Sequence, residues 1–502
     1  MLNSPYFLMT GMFPSAIVNL EWQKGDKEMR KLSFLLFILF SVFIGGILLW
    51  QWEAYSSKFD GNEDGKKETA VQHISVEVEK GFLNITQKIT GLKTGKGYPV
   101  NIPEMATKWS CLKEDGTECE SVGENPHSFV ANGEALQFLL TIPYNDKQAF
   151  LLNDWIVKVQ NAEIANTEVD LVDSSVRKGF WLAGLEFKGK KELEYIDYYS
   201  YEGNHPSPSL YWQPTIPEHQ KVDGPVALFF SGGDQTLSYT FSNLENISDF
   251  PHTNIIFTND YKEIYGEGII VFQPGAPASL VEQKLAGYYF SGKGLGKSEE
   301  EKWLSAVLAS LYLGTECEYE KGNQIKEELA QNFAPEQLEQ FMQTVIADKG
   351  TVDAEKLDGH LGELVSGKTF FFRLNKNINT KIVPFYFAEP QTVIIGKEEY
   401  DNIEIIHFRG NRMLPFIETM EALEFETALL PEEQSILVKD RDRNIYRFYK
   451  DGGFFILNEE HFGLMENPLA EINGKIYIKE EWLEEIFSVH IKESNGEIII
   501  TK

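Results

Sequence analysis

The sequence predicts a multidomain α+β protein with a single N-terminal transmembrane helix. Three observations lead to this fold class. An uncharged apolar run lies near the N-terminus, apolar and polar residues alternate over roughly the next two hundred positions, and the periodicity becomes helical near Gly292. Because 502 residues exceed the size of one ordinary domain, several hydrophobic cores are expected.

Residues 32–50 read LSFLLFILFSVFIGGILLW and carry no charge. A helix of this length, at about 1.5 Å per residue, nearly matches a hydrocarbon core of about 30 Å. Basic residues precede the run, so residues 1–31 are predicted to be cytoplasmic and the later domains extracytoplasmic. The predicted location is the cell membrane, single-pass, with the lipid bilayer as the partner of residues 32–50. The alternative is a cleaved signal peptide, but no A-x-A site follows.

Beyond the apolar run the chain changes from a polar tether to strands. Residues 51–70 are polar and contain two glycines, which is typical of a flexible tether. Over residues 71–275 apolar and polar residues alternate, as at Ile74, Val76 and Val78, and turn signals recur. A β-rich, sandwich-like domain is predicted there.

A small helical subdomain is predicted over residues 292–367. Ser298 and Glu301 have the spacing of a capping box, and apolar residues at helical spacing follow them. Pro335 suits the first turn of a helix, and Asp353 suits an N-cap.

The C-terminal part contains an internal repeat. Residues 368–404 are predicted as connecting strands, and residues 405–502 as an α+β repeat domain. A strand leading into an amphipathic helix occurs at 412–425 and again at 475–487, sixty-three residues later (475 − 412 = 63). Each copy is followed by a pair of short strands.

The second copy follows the pattern N-G-[KR]-x-Y-[VI]-P-L-R-x-L-x-E-x-L-G at seven positions: Asn473, Gly474, Lys475, Tyr477, Ile478, Leu483 and Glu485. This pattern resembles the copper amine oxidase N-terminal-like domain, or stalk domain, of Gram-positive surface proteins. The sequence departs from it at Lys479, Glu481 and Ser488, where the family has proline, arginine and glycine. The resemblance covers residues 405–502 and implies a non-catalytic appendage, without copper or oxidase activity.

The charge balance limits the classes of partner. Lysine and arginine number 46 and aspartate and glutamate 76, a net charge of −30. Nucleic acid is therefore not expected as a partner, nor are anionic headgroups as a bulk electrostatic surface.

The three cysteines are too few for a disulfide scaffold. Cys111 and Cys119 flank a predicted hairpin turn, so a cross-strand disulfide between them is predicted, with two free thiols as the alternative. Cys317 lies between two glutamates, which raise the pKa of a thiol, so a structural thiol is expected.

No cofactor and no tightly bound metal ion are predicted. No two of the nine histidines are closer than fourteen residues (219 − 205 = 14), so no H-E-x-x-H motif exists. A site assembled from distant histidines stays open. No G-x-S-x-G motif is present either. The segment 291–298 nearly matches a phosphate-binding loop but lacks the first glycine, and a glycine-rich lead into a helix explains it better.

The candidate ligand-binding residues lie in the stretch 195–212, which reads YIDYYSYEGNHPSPSLYW. They are Tyr198, Tyr199, Tyr201, His205, Tyr211 and Trp212. Such rings can stack on the sugars of a cell-wall glycan or clamp a segment of an envelope protein. The alternative, which the alternation favours, is that the aromatic rings fill a β core.

The predicted function is a membrane-anchored extracytoplasmic binding or display protein of the bacterial cell envelope, without catalysis and with no ligand assigned. The alternative is an extracytoplasmic hydrolase with an unrecognised or degenerate active site between the β-rich and helical parts. A polar cleft at that junction, with convergent carboxylates and histidines, would favour the alternative.

Overall fold

The computed structural model describes residues 68–502 except 114, 124–126, 132, 134, 176, 178, 233–238 and 495. The described residues belong to one compact unit, Glu68–Lys502. They form thirty-three strands and eight α-helices.

The first thirteen strands build a β-sandwich. They are β1 Glu68–Glu79, β2 Phe82–Thr90, β3 Gly97–Asn101, β4 Lys108–Leu112, β5 Ser128–Val130, β6 Ala135–Pro143, β7 Phe150–Leu152, β8 Lys158–Val159, β9 Ala162–Asp173, β10 Phe180–Ala183, β11 Glu186–Glu192, β12 Asp197–Gly203 and β13 Leu210–Gln213.

A seven-stranded sheet in the order β11-β12-β9-β1-β2-β6-β4 packs against two three-stranded sheets, β10-β13-β7 and β5-β3-β8. The pairing in the large sheet is antiparallel except between β1 and β9. Along β1, Ile74, Val76 and Val78 are buried while the residues between them are more exposed, so one face of the strand carries the core.

The next sheet lies between two hydrophobic cores. Its strands are β14 His219–Asp223, β15 Val226–Phe230, β16 Thr253–Phe257, β17 Ile264–Gly266 and β18 Ile269–Phe272, in the order β14-β15-β16-β18-β17. The central strands β15, β16 and β18 run parallel. Phe229 and Ile256 pack into the core of the β-sandwich, whereas their neighbours Leu228 and Ile255 pack into the core of the helical part.

Six helices cover the second face of this sheet. They are α1 Ala278–Gly292, α2 Leu304–Leu313, α3 Glu320–Asn332, α4 Pro335–Ala347, α5 Ala354–Val365 and α6 Phe371–Asn375. Short 3-10 turns occur at Leu244–Asn246 and Leu295–Lys297.

The helix boundaries follow local signals at some positions and tertiary contacts at others. Pro335 begins α4, and the side chain of Asp353 accepts the N–H of Lys356 at 2.9 Å at the start of α5. The helix expected after Ser298 begins only at Leu304. In the stretch predicted as connecting strands, Phe371–Asn375 is helical.

The C-terminal part contains fourteen further strands after β19 Lys368–Thr369: β20 Phe387–Ala388, β21 Thr392–Ile395, β22 Glu398–Tyr400, β23 Ile406–Phe408, β24 Asn411–Pro415, β25 Glu426–Leu430, β26 Ser435–Lys439, β27 Ile445–Tyr449, β28 Phe454–Leu457, β29 Glu460–Gly463, β30 Leu469–Ile472, β31 Lys475–Lys479, β32 His490–Ser494 and β33 Glu497–Thr501. Two short helices, α7 Phe416–Ala422 and α8 Glu480–Phe487, follow β24 and β31, and a 3-10 turn spans Pro431–Glu433.

The two repeat copies occupy equivalent places. Strands β24 and β31 pair antiparallel at the centre of one sheet, with Leu414 opposite Ile478. Their hairpin partners β23 and β30 flank them in the order β23-β24-β31-β30. Each central strand leads directly into its helix, and Phe416 and Phe487 from the two helices meet in one core.

The fold class predicted from the sequence is wrong. Among the described residues strands dominate, and no helix there is long and apolar enough to cross a membrane. The C-terminal part, predicted as α+β, has only two short helices among many strands because most of its apolar residues pack between sheets. The apolar run 32–50 lies outside the described residues, as does the bilayer contact assigned to it. The predicted single-pass location in the cell membrane depended on the transmembrane helix, so that prediction is corrected as well.

Candidate functional site

A cleft of about 810 Å³ lies where the β-sandwich, the sheet β14-β15-β16-β18-β17 and the helical part meet. We call it the junction cleft. It is lined by His205, Pro206, Asp249, Pro251, Glu267, Tyr288, Tyr289, Ser291, Gly292, Lys293, Gly296, Asp348, Lys349, Gly350 and Thr351.

His205 lies on a loop whose backbone carbonyls accept hydrogen bonds from side chains of the β-sandwich. Its carbonyl oxygen accepts the hydroxyl of Thr167 at 2.7 Å, and the carbonyl of Pro206 accepts the side-chain amide of Gln72 at 2.9 Å. The indole of Trp155 donates to the carbonyl of Pro208 at 2.6 Å. Three side chains from the sandwich therefore hold this proline-rich loop in one conformation.

Glu267 lies at the tight turn between β17 and β18. The backbone N–H of Glu267 donates to the hydroxyl of Ser209 at 2.7 Å, and its carbonyl accepts the N–H of Ser209 at 2.9 Å. A Cβ atom at Gly184 would lie 1.9 Å from the carbonyl oxygen of Glu267, so only glycine permits this approach. The turn is thereby locked against the loop that follows His205.

Tyr288, near the C-terminal end of α1, completes the group. Its hydroxyl oxygen accepts the N–H of Gly268 at 2.7 Å, which places the phenol close to the carboxylate of Glu267. Burial raises the pKa of Tyr288, and the negative charge of Glu267 raises it further. The phenol is therefore protonated at neutral pH and can act only as a donor to the carboxylate.

His205 is held as a neutral imidazole. Its Nε2 atom lies 3.3 Å from the carbonyl oxygen of His252, which can only accept, so we assign the ring proton to Nε2 and the lone pair to Nδ1. Burial lowers the pKa of His205, and the charge of Glu267 offsets part of that effect. A neutral imidazole beside a carboxylate is an arrangement that can accept a proton from water or substrate.

A largely buried lysine, Lys293, lines the other end of the cleft. Lys293 Nζ lies 3.3 Å from Asp249 Oδ2 and donates to the backbone carbonyls of Ile346 and Asp348 at 2.5 and 2.8 Å. The hydroxyl of Tyr289 donates to Asp249 at 2.7 Å. These contacts join the ends of α1 and α4.

The aromatic residues singled out from the sequence lie mostly inside the sandwich. Tyr199, Tyr201, Tyr211 and Trp212 are no more than 1% exposed, so their ring faces are covered by neighbouring side chains. Tyr198 is half-buried. Of the six candidates only His205 lines the junction cleft.

Glu267 and Tyr288 were not identified from the sequence. Neither belongs to a recognisable motif, and they come from segments far from His205 along the chain. The one local signal is the pair of glycines that flanks Glu267, Gly266 and Gly268.

The structure shows the bonding of the three cysteines and the grouping of side chains that could bind a metal ion. Cys111 and Cys119 form a disulfide with a Cα–Cα distance of 5.3 Å, and Cys317 is a buried free thiol. Across the described part of the chain, no three histidine, cysteine, aspartate or glutamate side chains are grouped closely enough to hold a metal ion.

No protein-family profile and no curated protein matches the sequence. Among solved structures, the fold is similar to an M1 zinc metallopeptidase from Deinococcus radiodurans. A mutant of that enzyme bound to a Tyr-Ser-Ala substrate matches with 11% identity and a TM-score of 0.40, over 60% of this chain and 91% of that chain. The enzyme without the mutation matches with 10% identity and a TM-score of 0.38, over 60% and 90%.

Similarity at this level does not identify what this chain does. The resemblance of residues 405–502 to a copper amine oxidase stalk domain stays a prediction.

Proposed function

We propose that the protein is a hydrolase whose active site is the junction cleft. One observation carries the proposal: His205, Glu267 and Tyr288 come from three separate segments and converge at the boundary between the β-rich and helical parts. Convergent carboxylates and histidines at this boundary are the feature that favours a hydrolase over a binding protein without turnover.

The chemistry assigned to these residues is general acid–base catalysis. Water attacks the electrophilic carbon of the scissile bond while Nδ1 of His205 accepts the proton that water loses. The carboxylate of Glu267 stabilises the imidazolium that forms. As the scissile bond breaks, the imidazolium returns its proton to the leaving group, which restores the neutral ring and balances the reaction.

Tyr288 has a supporting role in this scheme. Its hydroxyl accepts the N–H of Gly268 at 2.7 Å and lies close to the Glu267 carboxylate. The phenol therefore sets the orientation of Glu267 without touching the reacting atoms, and it is a positioning residue.

The test is hydrolysis by the purified full-length protein of a fluorogenic panel of amides, esters and glycosides. We expect turnover of at least one class, and a loss of about 10²-fold or more in His205→Gln. His461→Gln is the matched control because its side chain is exposed and distant from the lining residues. Absence of turnover across the panel, or equal rates for the two variants, would contradict the proposal.

A further inference from the structure

Strand β29, Glu460–Gly463, forms an open edge of its sheet. The sheet has the order β25-β26-β27-β28-β29, and in the part of the chain that the structure describes no strand pairs with the other side of β29. All residues of β29 are exposed. Edge strands are commonly protected by lysine, by proline or by a bulge, but β29 has no lysine or proline, and its pairing with β28 is regular. The edge is therefore available to another strand.

The backbone hydrogen bonds show which peptide groups of β29 point outward. The N–H of Leu464, directly after the strand, donates to the carbonyl of Gly453 at 2.7 Å, so it faces β28. In an antiparallel pair, residues that bond to the partner strand alternate with residues that do not. Phe462 therefore bonds to β28, whereas His461 and Gly463 direct their N–H and C=O groups at the open edge.

A column of phenylalanine rings crosses the sheet and ends at this edge. Phe448, Phe455 and Phe462 lie opposite one another on β27, β28 and β29. Successive ring centroids are 5.3 Å apart, with interplanar angles of 17° and 14°, so the rings are stacked. The exposed fraction rises from 0% at Phe448 to 7% at Phe455 and 39% at Phe462. The ring of Phe462 is thus open to an apolar side chain on an added strand.

We infer that β29 is a dimerisation edge, which pairs antiparallel with β29 of a second copy of this chain about a twofold axis at Phe462. In this register His461 lies opposite Gly463 of the second copy, and Gly463 lies opposite His461. These are the residues whose N–H and C=O groups point outward, so each of the two pairs forms two intermolecular hydrogen bonds. The two Phe462 rings meet on the axis, and the phenylalanine columns of both copies become continuous.

The edge is complementary to itself in this register for two further reasons. Glu460, the one acidic residue of β29, lies two residues from the axis and so does not meet itself. A Cβ atom at Gly463 would meet no atom within 4 Å, so the space beside this residue is open to the His461 ring of the second copy. A register centred on His461 would instead place Gly463 opposite Glu459, which lies in the hairpin turn with a φ of 73°. Fewer hydrogen bonds would then form.

Disulfide trapping of the full-length protein tests the register. Residues opposite each other in a non-hydrogen-bonded pair have Cα atoms about 4.5 Å apart, within the range of a disulfide. Phe462→Cys should therefore form a disulfide-linked dimer under mild oxidation. Cys317 is buried and is present in every variant, so it does not affect the comparison.

Glu460→Cys is the matched control for this cross-link, because Glu460 is exposed on the same strand and on the same face as Phe462. Its position two residues from the axis in each copy places the two Cα atoms about 13 Å apart, four residues at about 3.3 Å each. A disulfide cannot span that distance, so this variant should stay unlinked.

Sedimentation of the full-length protein measures the association itself. Two short strands make a small interface, so we expect a reversible dimer that forms as the concentration rises from about 5 to about 500 µM. Phe462→Asp should raise the dissociation constant about tenfold or more, because two carboxylates would meet on the axis. Ile445→Asp, which changes an exposed apolar residue two strands away from the edge, should leave it unchanged.

Three results would overturn the inference. They are a monomer throughout this concentration range, no more cross-linking of Phe462→Cys than of Glu460→Cys, and an equal effect of Phe462→Asp and Ile445→Asp on the dissociation constant. None of these measurements uses turnover, so their outcome is independent of the proposed hydrolase activity.

Discussion

The hydroxyl oxygen of Tyr288 accepts the backbone N–H of Gly268 at 2.7 Å across the boundary between α1 and the turn that joins β17 to β18. This contact links the helical part to the hairpin that faces His205. It fixes the backbone of the turn that carries Glu267, whose side chain is exposed and lines the cleft.

Tyr288→Phe should lower kcat by about tenfold to a hundredfold with little change in KM. The phenylalanine leaves the N–H of Gly268, next to Glu267, without its acceptor, and leaving such a group unpaired costs about 1–3 kcal/mol. Steady-state kinetics measure the effect, and Tyr400→Phe is the matched control because its hydroxyl bonds only Glu398 among the described contacts, far from the cleft lining. An equal fall in kcat in both variants would contradict the role assigned to Tyr288.

Stability should fall as the pH drops below about 6.5. Burial lowers the pKa of both His205 and His252 from the ordinary value of 6.5. At pH values between the lowered pKa values of the folded state and 6.5, the unfolded chain binds more protons than the folded chain. Stability therefore rises with pH in that window, and this contribution is fully present above it. Urea unfolding at pH 5 and pH 7.5 gives the change in unfolding free energy between the two pH values. This change should be smaller in the double variant His205→Gln/His252→Gln than in the wild type, and unaltered in His461→Gln.

Removing the Cys111–Cys119 disulfide should destabilise the sandwich by about 2–3 kcal/mol, the chain-entropy value for so short a loop. The double serine variant should show this loss in denaturant unfolding, and adding a reductant to it should produce no further change. If the oxidised wild type and the double variant unfold at the same denaturant concentration, the bridge contributes nothing to stability.

Asp358→Ala should cost about 1–3 kcal/mol of unfolding free energy, because it leaves the buried backbone N–H of Phe372 without an acceptor. The carboxylate is 1% exposed and accepts the backbone N–H of Phe372 at 2.6 Å and the guanidinium Nε of Arg373 at 3.0 Å. Thermal unfolding with Glu363→Ala, an exposed change on the same helix, is the comparison. Equal losses would show that the hydrogen bonds accepted by Asp358 are not the cause.

Local signals were sufficient where a residue acts on its own neighbours along the chain. Pro335 and Asp353 begin their helices because proline fits the first turn and a carboxylate can accept a free N–H group. The internal repeat was also visible, since both copies keep the order of strand, helix and hairpin that the structure shows around β24 and β31.

The sequence was misleading where tertiary contacts decide the conformation. The run Phe370-Phe371-Phe372 has the composition of a strand, yet Phe371–Asn375 is helical because the carboxylate of Asp358 accepts two N–H groups at its first turn. Strands β15, β16 and β18 are buried on both faces, the pattern of parallel strands covered on two sides, and were predicted as part of the β-rich, sandwich-like domain.

The candidate site was predictable only as a location. The boundary between the β-rich and helical parts was named from the sequence, but of the cleft residues that carry the proposal only His205 was a candidate. Glu267 and Tyr288 belong to no sequence motif. The turn that carries Glu267 is positioned by the close backbone approach of Gly184 and Gly268, and no periodicity or spacing in the sequence predicts such a contact.

The central claim is that the junction cleft catalyses hydrolysis, and its most direct test is the turnover number of Glu267→Gln beside Glu263→Gln. Both substitutions remove one carboxylate from the same hairpin region, but only Glu267 lines the cleft. On a substrate that the wild type hydrolyses, we predict a loss of kcat of about 10²-fold or more in Glu267→Gln and wild-type kcat in Glu263→Gln. Equal turnover by the wild type and both variants would contradict the claim.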